Sequence, residues 1–246
     1  MKAFSTTRKG GVSVGEYASF NLNNYCGDLP EHASENLSLL AGTIGVSEER
    51  IIWPHQVHGK KVVEIDEQFF LATPDRRQHL LEGADALTTR LTGVCIGVST
   101  ADCIPVFLCD ERHHAVGMVH AGWRGTKQHI VGKAVEAMQE AYGSKPADLL
   151  ACIGPGICVD HFEVGDEVFE AFAAEGFDMN KVAKRINRWH IDLPLCNEET
   201  LLSCGLRPEN IHQSRLCTFE RNNTYFSARR QGINSGRIFN GILLTE

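Results

Sequence analysis

The chain has no run approaching the roughly 18 uninterrupted apolar residues that a membrane helix needs, so no membrane partner is expected. Its first ten residues, Met1-Lys-Ala-Phe-Ser-Thr-Thr-Arg-Lys-Gly10, lack the apolar segment of a signal peptide, and a cytoplasmic protein is expected. Positive charge is in deficit: 24 Lys and Arg stand against 31 Asp and Glu, for a net charge of -7. A nucleic-acid backbone as the main partner is therefore excluded, although a locally positive pocket is not. The nine cysteines are odd in number and never fall in Cys-x-x-Cys spacing, which argues against a disulfide framework and for a reducing compartment. Most of them should be buried small apolar residues.

Several familiar metal motifs are missing as well. There is no His-Glu-x-x-His helix, and no His-x-Glu paired with Pro-Cys-x-x-Cys, so two common kinds of zinc hydrolase are excluded. No His-x-His pair occurs anywhere, and a protein holding several coppers needs many histidines at useful places. Internal repeats, low-complexity tracts and linkers are also absent, so residues 1–246 are expected to form one domain, with 43% hydrophobic residues to fill its core.

What the chain does have is concentrated in residues 94–125. Three short apolar runs, Val94–Val98, Ile104–Leu108 and Ala115–Val119, have strand length and many β-branched residues. Polar residues cluster at their ends: Asp102 and Cys103 after the first, His120 after the third. Gly122-Trp-Arg-Gly125 then opens a helix. Reactive groups at strand ends are held still by the strands behind them.

Around this block the patterns predict further elements. Phe4–Arg8 reads as a strand running into Gly10-Gly11. A helix begins at Pro30, carries Ala33, Leu37, Leu40 and Ile44 on one face, and stops at Gly45. Residues 51–53, 62–65 and 84–89 read as strands, while Gln68–Glu82 has no clean period and reads as a surface excursion. Thr126 is expected to cap a helix that runs to Tyr142 and ends at Gly143. A strand over 149–153, helices over 164–175 and 197–204, and strands over 211–214 and 237–244 complete the expected order, with residues 225–230 lying between the last two strands.

His58, Cys103 and His120 are the leading metal donors. A catalytic zinc takes three protein ligands and keeps one position open, and Cys with two His is a known set. Spacings of 45 and 17 residues form no local motif, so two other readings stand beside it: Cys103 as core with ordinary loop histidines, or Cys103 as a nucleophile with His120 as its base. His55, three residues before His58, competes as a ligand. His113 and His114 suit an exposed turn, and His32, His79, His129, His161, His190 and His212 read as surface or capping groups. Arg124, at a Gly-flanked helix start, is the leading phosphate clamp, with Arg8, Arg229 and Arg230 as further candidates.

Eight motifs taken in order resemble the laccase-domain family, once called multicopper polyphenol oxidase and now described as purine nucleoside phosphorylase. They are Thr7-Arg8-Lys-Gly-Gly-Val12, Phe20-Asn-Leu-Asn23 with Gly27-Asp28, Gln56-Val-His-Gly59, Ala84-Asp-Ala-Leu87, Thr100-Ala-Asp-Cys-Ile-Pro105, His120-Ala-Gly-Trp-Arg-Gly125, Gly154-Pro-Gly-Ile157 and Phe226-Ser-Ala-Arg-Arg230. The resemblance spans nearly the whole chain. It implies an α+β fold, a layered α-β-β-α sandwich with mixed sheets, and one zinc held by His58, Cys103 and His120. It also implies phosphorolysis of adenosine, inosine and S-methyl-5'-thioadenosine with adenosine deamination, so a purine nucleoside and phosphate are the expected partners. Gln56 joins Arg124, Arg8 and Arg229 as a candidate for substrate or phosphate. Tyr25 stands where many relatives have His, and Ala228 where many have an aromatic residue, so the pocket is expected to differ in detail.

A Cys–His hydrolase or amidase acting on a peptidoglycan precursor is the alternative. A copper polyphenol oxidase is disfavoured by the ligand count, and a non-catalytic metal binder by the open three-ligand set.

Overall fold

The computed structural model describes residues 1–245 and builds two mixed sheets face to face. The smaller contains β1 (Lys2–Ser5), β2 (Ile51–Ile52), β5 (Cys95–Thr100) and β13 (Ile238–Leu243), in the order β1-β13-β5-β2. The larger contains β3 (Lys61–Glu64), β4 (Ala84–Thr89), β6 (Ile104–Asp110), β7 (Ala115–Ala121), β8 (Leu150–Ile153) and β12 (Ile211–Gln213), in the order β12-β8-β6-β7-β4-β3. A short third sheet joins β9 (Glu163–Val164), β10 (Ala183–Arg185) and β11 (Trp189–Ile191).

Side-chain alternation on the strands sorts three cores. Ile96, Val98 and Ile242 of the smaller sheet meet Phe107, Val116 and Met118 of the larger one, closing the space between the sheets. Their neighbours Val106, Leu108 and Val119 point the other way, onto α5 (Ile130–Tyr142) and α8 (Leu193–Ser203). On the far side, Leu40, Ala41 and Ile44 of α1 (Pro30–Ile44) pack on Cys95, Phe239 and Leu243. The layers therefore run helix, sheet, sheet, helix, which meets the expected α-β-β-α sandwich. Each large side chain wholly buried in these layers contributes roughly 1.5–3 kcal/mol, and the central strands β4–β7 are buried along their full length.

Local chemistry sets the ends. Pro30 occupies the first turn of α1, and Gly45 ends it at φ 78 with its N–H on the Ala41 carbonyl. Residues 68–82 lie on the surface as expected, with only Phe69 buried, but they are helical: they form α2 (Glu67–Leu71) and α3 (Pro74–Leu81). Asp66 accepts from the Phe69 N–H, Thr73 accepts from the Arg76 N–H, and Phe69 tucks into the inter-sheet core. Thr126 is not the cap of the long helix. It lies inside α4 (Trp123–Lys127), and α5 starts after His129, whose left-handed backbone (φ 55) turns the chain between the two.

The helix expected over 164–175 is α6 (Asp166–Ala174), and α7 (Met179–Val182) leads into β10. α8 begins four residues before the expected Asn197, because Asp192 caps it through the Leu195 N–H and Pro194 fits its first turn. Residues 228–231 form α9 (Ala228–Gln231). His190 corrects its surface assignment: it is buried, with Nδ1 on the Val159 carbonyl. All nine cysteines are free thiols, five of them buried and Cys152 exposed. No helix among the described residues is long and apolar enough to cross a membrane.

Candidate metal centre

The three leading donors come from three different strand ends. His58 sits in the turn after β2, at φ 61, a left-handed conformation uncommon outside glycine. Cys103 immediately precedes β6, and Asp102 before it turns the chain between β5 and β6 at φ 87. His120 is the penultimate residue of β7 and is buried. Their ligand atoms all lie within 4.8 Å of one another. Cys103 Sγ is 3.7 Å from His58 Nε2, and the two imidazole rings meet edge to face with centroids 4.8 Å apart.

Asp85 organises this arrangement. Its carboxylate, at the start of β4, is fully buried and accepts the backbone N–H groups of Val57 (3.3 Å), His58 (3.0 Å) and Gly59 (2.6 Å). Oδ1 also pairs with His120 Nδ1 at 2.7 Å. One carboxylate thus pins the His58 turn and fixes which nitrogen of His120 faces the site. A carboxylate behind a ligating histidine is the usual support of a metal ligand. Burial acts to raise the Asp85 carboxyl, but its hydrogen bonds and the His120 charge prevail and hold it below its ordinary range.

Asp102 plays a comparable part for Cys103. Its two oxygens accept from Thr218 Oγ1 (2.7 Å) and the Arg229 N–H (2.6 Å), which locks the residue before the thiol in its left-handed turn. Gly122 completes the fit, since a Cβ there would lie 2.7 Å from the His58 ring and 3.1 Å from Cys103 Sγ. Burial raises the Cys103 thiol, yet the adjoining His120 charge and hydrogen bonds from both histidines hold it at about 6. Burial likewise lowers His120, and the Cys103 thiolate and Asp85 overcome this to raise it to about 9. Each group thus favours the charged form of the other. Around a cation, two nitrogens and a sulfur converge and leave a side open, which suits a catalytic rather than a structural metal.

The donors lie at one wall of a cavity of about 560 Å³. Tyr25, Trp123 and Phe162 give it aromatic surface, and Arg229 and Arg237 give it positive charge. Tyr25 stacks on His55, with ring centroids 4.1 Å apart, and His55 Nδ1 pairs with Glu82 at 2.7 Å. His55 therefore lines the cavity beside the donor group and is not part of it. Ala228 lines the same cavity, so both departures from the family pattern fall on its wall.

The other expected substrate residues divide. Arg229 reaches the cavity, with Nη1 on the Glu163 carbonyl at 3.1 Å. Gln56 lines it, but its amide is paired at both ends with the Ser99 backbone, at 2.9 and 2.7 Å, which ties the His58 turn to β5. Arg124 is exposed, lies over the Trp123 ring at 4.2 Å and is not a cavity residue. Arg8 donates to the carbonyls of Ala18 and Asn222 and lies over Phe226, also away from the cavity wall. Arg230 holds the Phe219 carbonyl. Asp85 belongs to the Ala84-Asp-Ala-Leu87 motif, yet its role is not assigned by the sequence; the available signal is an acid among the apolar residues of a short strand, since a buried charge needs partners.

This layered fold, with a His-Cys-His centre beside an aromatic cavity, defines an α/β protein of laccase-domain type. Residues 2–245 match the family model described as multi-copper polyphenol oxidoreductase laccase, and the chain belongs to that family. It is 42% identical to a purine nucleoside phosphorylase of Bacteroides thetaiotaomicron over 98% of this chain and 90% of that one. It is also 42% identical to adenosine deaminase RL5 of an unknown prokaryotic organism, over 98% and 93% of the two chains. Among solved structures, Bacillus licheniformis hypothetical protein YfiH superposes with a TM-score of 0.92 at 28% identity, covering 98% of this chain and 92% of that chain. YlmD from Geobacillus stearothermophilus gives 0.91 at 29%, covering 99% and 92%.

Proposed function

We propose that the chain is a zinc-dependent purine nucleoside phosphorylase, cleaving adenosine, inosine and S-methyl-5'-thioadenosine, with adenosine deamination at the same centre. The observation that carries this reading is the position of His58, Cys103 and His120 on the wall of a cavity that combines aromatic faces with two arginines. The names of the relatives, purine nucleoside phosphorylase and adenosine deaminase, support it. Cys with two His suits zinc, and the single other donor group among the described residues carries one histidine, too few for a cluster of coppers.

The residues divide the work by chemistry. Tyr25, Trp123 and Phe162 offer flat apolar surface to a purine ring. Arg229 is the cation best placed for phosphate, because Asp102 fixes its backbone and the Glu163 carbonyl fixes its guanidinium. Phosphorolysis joins an oxygen of hydrogen phosphate to the anomeric carbon as the bond to the base nitrogen breaks, and the proton of the hydrogen phosphate passes to the departing base. Holding phosphate and sugar in line lowers the barrier through positioning. Zinc bound by His58, Cys103 and His120 would supply a Lewis acid for an oxygen at the open position. Asp85 maintains the His120 imidazole in one orientation throughout.

A second reading is favoured by one observation: Cys103, His120 and Asp85 form a thiol, imidazole and carboxylate chain, with the thiol at about 6. Free of metal, that chain suits a Cys–His hydrolase. Thiol alkylation separates the two. A zinc-held Cys103 is protected until a chelator is added, whereas a catalytic thiolate reacts at once. Activity is tested by assaying adenosine with phosphate for adenine and ribose 1-phosphate. Zinc-loaded protein that makes no adenine from adenosine, and none from S-methyl-5'-thioadenosine, contradicts the proposal.

A further inference from the structure

A second group of donors lies outside the site described above. Cys158 and His161 stand three residues apart in the loop after β8, and Cys217 and Glu220 stand three apart in the segment after β12. The ligand atoms of all four lie within 4.8 Å of one another. His161 Nδ1 is 3.2 Å from Cys158 Sγ, 3.8 Å from Cys217 Sγ and 3.7 Å from Glu220 Oε1. Cys158 Sγ is 4.0 Å from the same carboxylate oxygen. Four donors about 2.0–2.3 Å from one tetrahedral ion are separated by about 3.3–3.8 Å, so the group is close to the spacing that zinc imposes.

Its surroundings are those of a metal site. The Cys158 N–H points at Cys217 Sγ at 3.4 Å, the kind of contact that stabilises a bound thiolate. The His161 ring stacks on Phe219, with centroids 4.3 Å apart and planes 21° apart, which holds Nδ1 toward the sulfurs. Paired donors two intervening residues apart, supplied by two chain segments, are the usual chelating arrangement of structural zinc.

We propose that Cys158, His161, Cys217 and Glu220 form a second metal site that binds a zinc ion through four protein ligands. Two thiolates select zinc over magnesium or calcium, and four protein donors leave no position for a substrate, so the role is structural. The ion ties the loop after β8 to the segment after β12. These are already bridged by the Thr218 N–H on the Gly156 carbonyl at 3.0 Å. Thr218 holds Asp102, and the His161 and Glu163 carbonyls hold the Arg229 guanidinium. The second ion thus braces the backbone behind Cys103 and Arg229.

The test is zinc content by mass spectrometry of reduced, zinc-loaded and desalted full-length protein. About two ions per chain are expected for the unmodified protein. About one is expected for His120→Ala, about one for Cys158→Ser/Cys217→Ser, and almost none for the combination. Circular dichroism checks folding, and His161→Ala, which keeps both thiols, replaces the double variant if that variant does not fold. Cobalt(II) added to metal-free His120→Ala should give a thiolate charge-transfer band about twice as strong per ion as in Cys158→Ser/Cys217→Ser, reflecting two sulfurs against one. The proposal is overturned if the double variant binds as much zinc as the unmodified protein, if His120→Ala binds none, or if Cys158 and Cys217 are recovered as a disulfide after loading under reductant. Nucleoside turnover enters none of these readouts, so this site stands or falls apart from the proposed activity.

Discussion

Asp85 Oδ1 meets His120 Nδ1 at 2.7 Å while the same carboxylate accepts three backbone N–H groups from the His58 turn. Two of the three proposed ligands therefore depend on one buried side chain. Asp85→Asn should weaken zinc binding by about 10–100-fold, because it removes the charge behind His120 and turns an amide toward donors that need an acceptor. Competition with a chromophoric chelator measures this, and an affinity equal to that of the unmodified protein would show that Asp85 does not support the metal.

Gly122 offers a steric test of the same centre. An alanine Cβ would press on the His58 ring at 2.7 Å and on Cys103 Sγ at 3.1 Å. Gly122→Ala should retain the fold and lose most of the bound zinc, as read by circular dichroism and metal analysis on one sample. Full zinc occupancy in that variant would mean that His58 and Cys103 have room the geometry does not give them.

Arg229 and Arg124 separate two views of the phosphate site. Arg229 lines the cavity, whereas Arg124 is exposed against Trp123. Arg229→Ala should raise the KM for phosphate by about 10–100-fold, the cost of a lost charge-assisted hydrogen bond, with a smaller change for nucleoside. Arg124→Ala should leave the phosphate dependence within about 2-fold, the expectation for an exposed arginine paired only with a ring. The reverse pattern would return the anion site to the start of α4.

Much of this organisation is legible in the sequence. Strands β5, β6 and β7 lie where short β-branched runs place them, and their polar ends locate Cys103 and His120. The helices over 67–81 were hidden because their length is short and their exposed face is charged, although Asp66 and Thr73-Pro74 are capping signals. The roles of the arginines were hidden for a different reason. Residue type shows that Arg8, Arg124 and Arg229 are cations, but only tertiary structure shows which carbonyl or ring each one faces. The same holds for Gln56, whose motif marks the right turn while its amide serves the β5 backbone. Cys158-x-x-His161 and Cys217-x-x-Glu220 had a readable spacing, but neither pair is a site until the fold joins them.

The loop that carries Tyr25 gives a pH prediction. Asp28 accepts from Ser13 Oγ (2.6 Å), Asn21 Nδ2 (2.8 Å) and the Leu29 N–H (2.9 Å). Burial acts to raise its carboxyl, and these hydrogen bonds outweigh burial and lower it. A carboxyl lowered on folding stabilises the protein above its unfolded value of about 3.9, and that stabilisation is lost as pH falls through the lowered value. Asp28→Asn should therefore lower Tm at neutral pH, and the gap to the unmodified protein should narrow below about pH 4. A gap that persists unchanged into acid would exclude the ionised carboxylate as its source.

Adenosine provides the most direct measurement of the central claim, because one centre is assigned two products and only one of them consumes phosphate. Zinc-loaded protein given adenosine and phosphate should release adenine with ribose 1-phosphate, and also inosine with ammonia. Omitting phosphate should abolish adenine and leave ammonia running. His120→Ala, checked for fold and for loss of the active-site zinc, should lose both. Adenine release that survives in His120→Ala, or zinc-loaded unmodified protein that forms no adenine from adenosine or from S-methyl-5'-thioadenosine, would contradict the account.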